Sequence, residues 1–370
     1  MASAKSLVVQ SVTSPLNLKI EGRRIPVAGP GTAIVEILAT SIAPTYGYLL
    51  SHPIPYFEFP VPSVYGNNAI GRVISTGVDS TSLKPGQLVF VDSFITARDD
   101  PDTEMLLGLM DGGTENSKKL ANEAWRDGYW QTHATVPLEN ATLLNEEYLL
   151  GELGCEPAEL TYLNRFAVAY GAVSTVDIKA GETVIVGPAT GQFGGAGVEV
   201  AAALGARVIA LGRNTETLSR LQATIPRVKT VVLTGDVGKD TQAILAFGPA
   251  DVFIDFSPHT MSTEPSHIRS AIQALRRRGR VVLMGGFGGE ISIPYFHVMQ
   301  NSINIKGRWM YSRKELRTMI KMVETGLLKI GKFSGHKVSG KFTLDEWKTA
   351  LDAASKHPAW GDQIVFKPSG

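Results

Sequence analysis

The stretch from Thr183 to Arg213 constrains the fold of this chain more than any other. It opens with four β-branched residues, 183–186, which is typical of a buried strand. Glycines follow at positions 187, 191, 194, 195 and 197, then an Ala-rich run at 198–204 that favours a helix, and then a second apolar run at 206–211. Strand, glycine turn, helix and strand form a βαβ unit, and such units build a parallel sheet.

The glycines between the first strand and the helix predict a phosphate-binding turn. The usual dinucleotide pattern is G-x-G-x-x-G, and here Ala189 replaces its first glycine. Gly191 would let the backbone approach a pyrophosphate, and Gly194 would let helix and strand pack closely. The helix N-terminus adds unpaired N–H groups and the positive end of a dipole. We therefore favour a dinucleotide site over a purely structural turn. Its candidate residues are Thr190, Gly191, Gln192, Phe193 and Gly194.

The end of the second strand indicates which dinucleotide is preferred. NAD-binding units usually place an Asp or Glu there to hold the ribose 2′-hydroxyl. Here the residues are Gly212, Arg213 and Asn214, so no carboxylate repels a 2′-phosphate, and Arg213 can pair with one through two hydrogen bonds. We therefore predict NADPH over NADH. The alternative is that Arg213 is only a solvated loop charge.

Composition limits the classes of protein to which the chain can belong. Its 370 residues suffice for two domains, and 44% hydrophobic with 19% charged residues is ordinary for a globular protein. The net charge of +1 gives no reason to expect nucleic acid or a membrane as a partner. The single cysteine, Cys155, excludes an intrachain disulfide framework. With no recognisable secretory signal, we expect a cytoplasmic protein with a small-molecule substrate.

The rest of the chain divides into a β-rich part and an alternating part. Residues 1–90 carry short apolar runs separated by Gly and Pro turns, which predicts a compact antiparallel barrel or sandwich. Residues 97–128 form a polar insertion, and such segments tend to be lids, binding loops or disordered excursions. From 157 to 309 helices and strands alternate, starting with a helix at 157–172, which predicts a doubly wound parallel sheet. The arginines at 276–278 are expected to end a helix, where cations offset the dipole.

Short motifs follow one another in a fixed order along almost the whole chain. They are Gly66-Asn67-Asn68-Ala69-Ile70-Gly71-Arg72-Val73, Leu83-Lys84-Pro85-Gly86, Ala169-Tyr170, Lys179-Ala180-Gly181-Glu182, the glycine loop and Gly279 to Gly286. In this order the chain resembles the medium-chain dehydrogenase/reductase superfamily. The resemblance implies an α/β protein with a GroES-like antiparallel β catalytic domain and a Rossmann domain built on a doubly wound parallel sheet. We expect these domains at 1–160 and 161–305, followed by a C-terminal return to the catalytic domain at 306–370.

The resemblance also implies where zinc-dependent members hold their catalytic metal, with a Cys, a His and a second Cys or acid. The corresponding positions fall near Ala43, at Gly66-Asn67-Asn68 and near Asn164. Neutral Ala and Asn cannot supply the thiolate, imidazole or carboxylate that zinc prefers. The four-cysteine lobe that holds a structural zinc is missing too. We therefore expect neither a catalytic nor a structural zinc.

Without a metal, hydrogen-bond donors or a general acid must polarise the substrate. Tyr46 is the candidate general acid, because a tyrosine hydroxyl can both donate a hydrogen bond and release a proton. Thr45 is a candidate for orienting the nicotinamide ribose or the substrate, and Asn67 and Asn68 are candidate amide donors. Further candidate donors follow at Tyr48, His52 and Tyr56. The alternatives are an aromatic packing segment and a pair of asparagines that stabilises a turn.

Zinc-free relatives in this superfamily deliver hydride to a carbon conjugated with a carbonyl. The resemblance therefore implies an NADPH-dependent reductase of an activated C=C bond in an apolar small molecule. Gly285, Gly286 and Phe287 follow a parallel strand, where cofactors bind in open α/β sheets, and are expected beside the nicotinamide. Reduction of a ketone or imine with NADPH stays open, as does a non-redox or cofactor-sensing role. The strand at 303–310 corresponds to one that often pairs across a two-fold axis in the superfamily, which implies a homodimer.

Overall fold

The computed structural model describes residues 3–55 and 57–369, which form two compact units. Unit 1 comprises Met1–Asn164, Ile330–Pro358 and Asp362–Gly370, and unit 2 comprises Arg165–Lys329 with Ala359–Gly361. Residues 306–329 thus lie in unit 2, whereas the sequence-based division grouped 306–370 as one return segment. The candidate donor Tyr56 lies outside the described residues. Within the described part of the chain, no helix is long and apolar enough to cross a bilayer.

The first half of the chain is mainly β. Its strands are β1 (Ser3–Ser11), β2 (Asn17–Arg24), β3 (Thr32–Ile42), β4 (Ser63–Val64), β5 (Ala69–Thr76), β6 (Leu88–Val91), β7 (Phe94–Thr96), β8 (Glu104–Leu106), β9 (His133–Pro137) and β10 (Ala141–Leu143). Its helices are α1 (Tyr46–Ser51), α2 (Glu115–Glu123), α3 (Pro157–Leu160) and α4 (Leu163–Thr175). Short turns of 3₁₀ and π type lie at Leu138–Asn140 and Glu147–Glu152.

The second half alternates between strand and helix. Its strands are β11 (Thr183–Gly187), β12 (Arg207–Gly212), β13 (Val228–Val232), β14 (Ala250–Asp255), β15 (Leu275–Leu283), β16 (Asn304–Gly307), β17 (Lys337–Phe342) and β18 (Asp362–Phe366). Its helices are α5 (Gln192–Ala203), α6 (Thr215–Thr224), α7 (Val237–Leu245), α8 (Ser266–Gln273), α9 (Tyr295–Gln300), α10 (Arg313–Glu324) and α11 (Trp347–Lys356). Single 3₁₀ turns lie at Gly331–Phe333 and Leu344–Glu346.

Unit 2 is built on a six-stranded sheet with the order β13-β12-β11-β14-β15-β16. Every pairing in it is parallel, and this is the doubly wound order 3-2-1-4-5-6, which confirms the predicted Rossmann fold. The sequence places β11 at the centre because all five of its residues are buried, as a strand flanked by neighbours and covered on both faces requires. Gly187 at its end lies beside Asp255 at the end of β14.

Helix α5 begins at Gln192, six residues before the Ala-rich run that predicted it, so the glycines lie within its first turns. Close packing is the physical reason for these glycines. A Cβ on Gly194 would lie 1.9 Å from the Pro188 carbonyl oxygen, and one on Gly195 would lie 2.1 Å from the Trp360 ring. Glycine is a poor helix former, and here tertiary contacts outweigh that propensity.

Unit 1 carries a seven-stranded sheet in the order β10-β6-β5-β3-β18-β17, in which β9 also pairs with β3. A smaller sheet, β2-β1-β4, accompanies it. All pairings in these two sheets are antiparallel except that of β17 with β18. Strand β18, from the end of the chain, pairs with β3 and so completes the sheet of this unit. The antiparallel GroES-like domain is confirmed.

The polar insertion at 97–128 is more ordered than its composition indicates. Strand β8 within it pairs with β7, and α2 starts with a capping box between Thr114 and Ser117. Its residues Met105 and Leu107 are buried in one of the hydrophobic cores of unit 1. These apolar residues of the insertion therefore pack in the core of unit 1 rather than lying in an exposed loop.

Two helix predictions are wrong in their extent. The helix expected at 157–172 is two helices, because the Thr161 hydroxyl donates to Ala158 and Gln363 where the first one ends. The arginines at 276–278 do not end a helix but lie in β15, which starts at Leu275. Arg276 there forms an ion pair with Asp251, so its charge neutralises a carboxylate rather than a helix dipole.

Candidate functional site

A buried cluster of one hydroxyl-bearing ring, two amides and a serine lies in unit 1. The Tyr46 hydroxyl donates to the Asn67 side-chain oxygen over 2.5 Å, and the Asn68 amide donates to the same oxygen over 2.9 Å. Asn68 and Ser41 exchange hydrogen bonds of 2.9 and 3.1 Å. We call Ser41, Tyr46, Asn67 and Asn68 the amide–hydroxyl cluster. It joins side chains that are 21 to 27 positions apart in sequence.

Local structure fixes each member of this cluster. Ser41 lies near the end of β3, Tyr46 opens helix α1 four residues after that strand, and the two asparagines directly precede β5. The Thr40 hydroxyl donates to the Asn68 carbonyl over 2.7 Å, which holds the turn before β5 against β3. Asn68 is fully buried and Tyr46 and Asn67 are nearly so. Buried polar groups in such a network are rigid because every alternative leaves one unpaired.

The structure brings together three of the predicted residues, Tyr46, Asn67 and Asn68, and leaves Thr45, Tyr48 and His52 outside the cluster. Thr45 precedes α1, and its side chain does not cap that helix. Tyr48 and His52 are exposed and stack on each other with ring centroids 4.4 Å apart. The two asparagine side chains are hydrogen-bonded to each other, and the Asn67 oxygen also accepts from the Tyr46 hydroxyl.

Aromatic side chains surround the Tyr46 ring. Tyr65 meets it edge-on with ring centroids 5.1 Å apart, and Trp130 lies at 6.0 Å. Phe59 and Phe366 extend this aromatic shell around Tyr65 and Trp130. Burial raises the pKa of the Tyr65 hydroxyl well above its usual value, and the nearby Tyr46 adds to this. The polar cluster therefore sits in apolar surroundings, where its hydrogen bonds are strong.

The side chains at the positions expected for metal ligands do not fit a zinc ion. Ala43 packs against a hydrophobic core, and Asn67 and Asn68 are committed to the amide–hydroxyl cluster. Asn164 is buried, and its side-chain oxygen has no hydrogen-bond partner among residues 3–55 and 57–369. In the same described residues, no three or more His, Cys, Asp or Glu side chains group as metal ligands would. Amides and a methyl group are not the donor set of a zinc enzyme.

The glycine loop of unit 2 has the geometry of a phosphate site. Gly191 is the N-cap of α5, no side chain caps this helix end, and the positive end of the helix dipole there favours a phosphate. A Cβ on Gly191 would have open space around it, whereas one on Gly212 would lie 2.4 Å from the Thr190 methyl group. The Ala189 N–H donates to the Leu211 carbonyl over 2.6 Å, which joins the loop to the end of β12. This cradle fits the pyrophosphate of a dinucleotide.

The other predicted cofactor residues differ in what they contact. Phe193 is 36% exposed beside the helix start, and Arg213 is exposed after β12, as a residue that meets a 2′-phosphate must be. Asn214 has a structural role, because its side chain caps α6 by accepting from the Thr217 N–H over 2.9 Å. Gln192 is buried and accepts a 3.0 Å hydrogen bond from the Arg165 guanidinium.

The turn after β15 is tied to the turn after β14. The Gly286 N–H donates to the Ser257 carbonyl over 2.7 Å, and a Cβ on Gly285 would lie 2.4 Å from an Asp255 carboxylate oxygen. Phe287 is half-buried just beyond. Both turns lie at the carboxyl end of the parallel sheet, the edge at which ligands bind in this architecture.

Two buried groups near this edge were missed from the sequence. Arg165 is 1% exposed and donates to Gln192, a residue 27 positions away, so its burial depends on a long-range contact that is not visible in the sequence. Asp255, Ser257 and His267 form a buried cluster in which the Ser257 hydroxyl donates to Asp255 over 2.5 Å and His267 lies 3.3 Å from the same oxygen. One indication of the cluster around Asp255 is present in the sequence, which is the acidic residue at the end of the apolar strand Phe253-Ile254-Asp255.

Comparison with known proteins agrees with the two units. The family model described as alcohol dehydrogenase GroES-like domain matches residues 29–146, and the model described as zinc-binding dehydrogenase matches residues 193–325. The first falls in unit 1 and the second in unit 2. The second description names zinc, whereas the positions at which the resemblance implies metal ligands all lie in unit 1.

Curated relatives and solved structures cover most of the chain at low identity. The chain is 26% identical over 310 residues to the L-galactonate-5-dehydrogenase of Escherichia coli K12, covering 82% of this chain and 83% of that protein. It is 24% identical to the L-threonine 3-dehydrogenase of Ruegeria pomeroyi, covering 89% and 90%. Among solved structures, AibC superposes with a TM-score of 0.79 at 19% identity, covering 99% and 96%. A candidate zinc-binding dehydrogenase of Sinorhizobium meliloti 1021, bound to NADP, superposes at 0.77 with 21% identity and full coverage of both chains.

Proposed function

Because the chain belongs to the medium-chain dehydrogenase/reductase superfamily of oxidoreductases, we propose that it is a zinc-independent reductase that uses NADPH. Its substrate on this proposal is an apolar small molecule with a C=C bond conjugated to a carbonyl group. The use of a nicotinamide cofactor follows from the superfamily. The choice of NADPH, the absence of zinc and the conjugated bond are the parts that experiment has to test.

The observation that carries the proposal is that Asn67 and Asn68, at a position where the resemblance implies a metal ligand, belong instead to the cluster that holds the Tyr46 hydroxyl. When bound, NADPH supplies a hydride to the substrate. Negative charge then develops on the carbonyl oxygen, and the Tyr46 hydroxyl can turn from Asn67 to donate to it. The Asn67 oxygen keeps the hydrogen bond from Asn68 when Tyr46 turns away, so no buried acceptor is left unpaired.

Hydrogen-bond donors such as Tyr46 can stabilise the negative charge on an enolate oxygen. A substrate with a conjugated C=C bond therefore suits this cluster. Charge spread over an enolate needs less stabilisation than the localised alkoxide that forms from a ketone, for which relatives of the zinc class use a Lewis acid. Tyr46 is also able to supply the proton that completes the saturation of the C=C bond. The aromatic shell of Tyr65, Trp130, Phe59 and Phe366 favours an apolar substrate.

The preference for NADPH rests on Arg213 and on the glycine loop. Arg213 is exposed directly after β12, and Asn214, which caps α6, fixes the chain that follows it. No carboxylate occupies 212–214 to bind a ribose 2′-hydroxyl or to repel a 2′-phosphate. The NADP bound to the similar Sinorhizobium meliloti structure supports the same choice.

Reduction of a ketone, or oxidation of the matching alcohol, is the second candidate function. The names of the relatives favour it, since one is a dehydrogenase of L-galactonate and the other a dehydrogenase of L-threonine. An imine would be reduced by the same arrangement. Product analysis separates the candidates, because one saturates a C=C bond and the others yield an alcohol or an amine.

A single set of measurements tests these statements. Fluorescence titration with NADPH and NADH is followed by NADPH consumption with a panel of enones, quinones, ketones and imines. Turnover of enones or quinones supports the main proposal, and turnover of ketones or imines alone supports the second. Stoichiometric zinc in protein purified without added metal would refute the zinc-independent part.

We also propose a homodimer formed through β16. This strand is the last in the order of the parallel sheet and pairs only with β15 among the described strands. Nearby helix α9 exposes apolar side chains, with Tyr295 at 75% and Phe296 at 65% exposure. An open strand edge beside exposed apolar groups favours pairing with a second copy. A monomeric mass in light scattering would refute this.

A further inference from the structure

Two buried hydrogen-bond donors beside Tyr46 are not used within unit 1. The Tyr65 hydroxyl and the Trp130 indole N–H are buried, and neither has a hydrogen-bond partner among residues 3–55 and 57–369. Tyr65 is 1% exposed and Trp130 is fully buried. Folded proteins pair the large majority of buried polar side-chain atoms, so two unpaired donors in one cluster need an explanation.

Both donors are held firmly in place. The Trp130 N–H of the main chain donates to the Tyr65 carbonyl over 2.9 Å, and the two rings meet edge-on with centroids 5.2 Å apart. Gly66 makes room for the indole, since a Cβ there would lie 2.8 Å from the indole nitrogen. The Tyr65 ring also meets the Tyr46 ring edge-on. These contacts place the unused donors in the same aromatic shell as the proposed general acid.

The chemistry of the donors defines what they can bind. An indole N–H only donates, and burial keeps the Tyr65 hydroxyl protonated. The nearby Asn67 oxygen already accepts from Tyr46 and Asn68. The matching ligand is therefore an oxygen atom with free lone pairs, and the surrounding rings of Tyr46, Phe59 and Phe366 carry no positive charge to pair with a carboxylate or phosphate. A carbonyl oxygen, or the enolate oxygen formed from it, meets these conditions.

We propose that the Tyr65 hydroxyl, supported by the Trp130 indole N–H, is a second donor site for the carbonyl oxygen of the substrate. This inference rests on the proposed function and deepens it, because it assigns the recognition of the carbonyl group to a residue other than Tyr46. Tyr65 holds the oxygen, and Tyr46 remains the source of the proton. A bound water oxygen is the other source of the same acceptor chemistry.

Tyr129 provides a matched control for a test of Tyr65. Both tyrosines are buried in unit 1, but the Tyr129 hydroxyl donates to the Asp92 carbonyl over 3.0 Å. Tyr65→Phe and Tyr129→Phe therefore remove the same atom, unpaired in one case and paired in the other. Removal of an unpaired donor does not destabilise a fold, whereas removal of a paired one leaves an acceptor unsatisfied.

The experiment is calorimetric titration of NADP⁺-loaded protein with 2-cyclohexenone, which is not reduced because the oxidised cofactor carries no hydride. We expect Tyr65→Phe to keep the melting temperature of the wild type and to weaken ketone binding by about five- to tenfold. Tyr129→Phe should melt at a lower temperature and bind the ketone as the wild type does. Methylcyclohexane, which lacks the oxygen, should not distinguish the three proteins.

Several outcomes would overturn the assignment. Wild-type protein that does not bind the ketone, or a Tyr65→Phe variant that binds it unchanged, removes the donor site. A lowered melting temperature of Tyr65→Phe with unchanged ketone binding identifies a structural water as the acceptor, which also refutes the proposal. A different result would separate the two proposals. If ketone binding depended on Tyr65 but the enzyme oxidised NADPH with no enone, the proposed C=C reduction would be wrong and the donor site would still be supported.

Discussion

The Tyr46 hydroxyl donates to the Asn67 side-chain oxygen over 2.5 Å, and this one bond distinguishes Tyr46 from an aromatic packing residue. Packing alone would fix the ring but not the direction of its hydroxyl. Here the ring is held edge-on by Tyr65 and the hydroxyl is held by an amide that Asn68 orients. The ring is therefore in place before substrate arrives, and only the hydroxyl has to turn from Asn67 when charge develops on the substrate.

Substitution of Tyr46 by Phe tests its role as the general acid. We expect kcat to fall by about 10²-fold or more, because the proton donor is lost, while NADPH binding is unchanged. Steady-state kinetics with an enone and a fluorescence titration measure the two quantities. Tyr48→Phe is the control, since Tyr48 is 50% exposed and lies outside the cluster. Full activity of Tyr46→Phe would remove Tyr46 from the mechanism.

Substitution of Asn68 by Asp tests the cluster as a source of stability. The fully buried Asn68 amide donates to Ser41 and Asn67, and an ionised carboxylate cannot donate. We expect the free energy of unfolding to fall by about 1–3 kcal/mol or more at pH 7. Burial raises the pKa of the new carboxyl in the folded state, so the loss should shrink as the pH falls and the group regains a proton.

Urea unfolding at neutral and acidic pH measures this effect. Asn17→Asp is the control, because Asn17 is exposed and the change there should be small at both pH values. An equal loss of stability in Asn68→Asp at the two pH values would show that the destabilisation comes from shape rather than from charge.

The sequence was sufficient for the parallel sheet because its signal is local. The apolar runs at 183–186 and 206–211 each fill one strand, and a strand buried on both faces is recognisable without its neighbours. The start of α5 was not recognisable in this way. Gly194 and Gly195 oppose a helix by propensity, and only their contacts with Pro188 and Trp360 explain why they lie in one.

Some residues of the candidate site could be predicted from the sequence, and others could be recognised only from their contacts in the structure. Tyr46, Asn67 and Asn68 were found because the family resemblance marks their positions, although the hydrogen bond from Tyr46 to Asn67 joins residues 21 positions apart. Tyr65 was not found, because an unpaired buried hydroxyl is defined only by what surrounds it. The buried set of Asp255, Ser257 and His267 was missed for the same reason.

Alkaline pH should destabilise the protein through its buried tyrosines. Burial raises the pKa of Tyr65 and Tyr129 well above the usual value of 10.0. A raised pKa in the folded state means that the unfolded chain loses its protons first, so stability is complete below pH ~10 and falls above it. In the Tyr65→Phe, Tyr129→Phe double variant the fall should be shallower. Unfolding midpoints measured across this pH range, with tyrosinate absorbance as a second observable, test this. If stability fell equally steeply with pH in the wild type and in the double variant, the prediction would be wrong.

Substitution of Arg213 by Asp tests the choice of cofactor. A carboxylate at the end of β12 would repel a 2′-phosphate and accept the ribose 2′-hydroxyl, so the ratio of NADPH to NADH affinity should fall about ten- to a hundredfold. Fluorescence titration with each cofactor gives this ratio. Arg317→Asp is the control. It makes the same change of charge at an exposed arginine of α10 in unit 2 and should leave the affinity ratio unchanged. An unaltered ratio in Arg213→Asp would make Arg213 a solvated loop residue.

Alanine substitutions at Gly191 and Gly194 separate cofactor binding from folding within one loop. Gly191 has a backbone φ of −83° and open space at its Cβ position, so Gly191→Ala should melt as the wild type does. Its methyl group would nevertheless lie at the uncapped end of α5, where a pyrophosphate binds, and NADPH affinity should fall. Gly194→Ala should instead lose about 1–3 kcal/mol of stability, because its Cβ would lie 1.9 Å from the Pro188 carbonyl oxygen.

Thermal unfolding without cofactor and NADPH titration measure these two properties independently. If Gly191→Ala bound NADPH as tightly as the wild type, the glycine loop would not be the phosphate site, however well its geometry suits one. If Gly194→Ala were as stable as the wild type, the approach of α5 to Pro188 would have to be looser than it is here. The two results together decide whether the glycines of this loop serve the ligand at one position and the fold at the other.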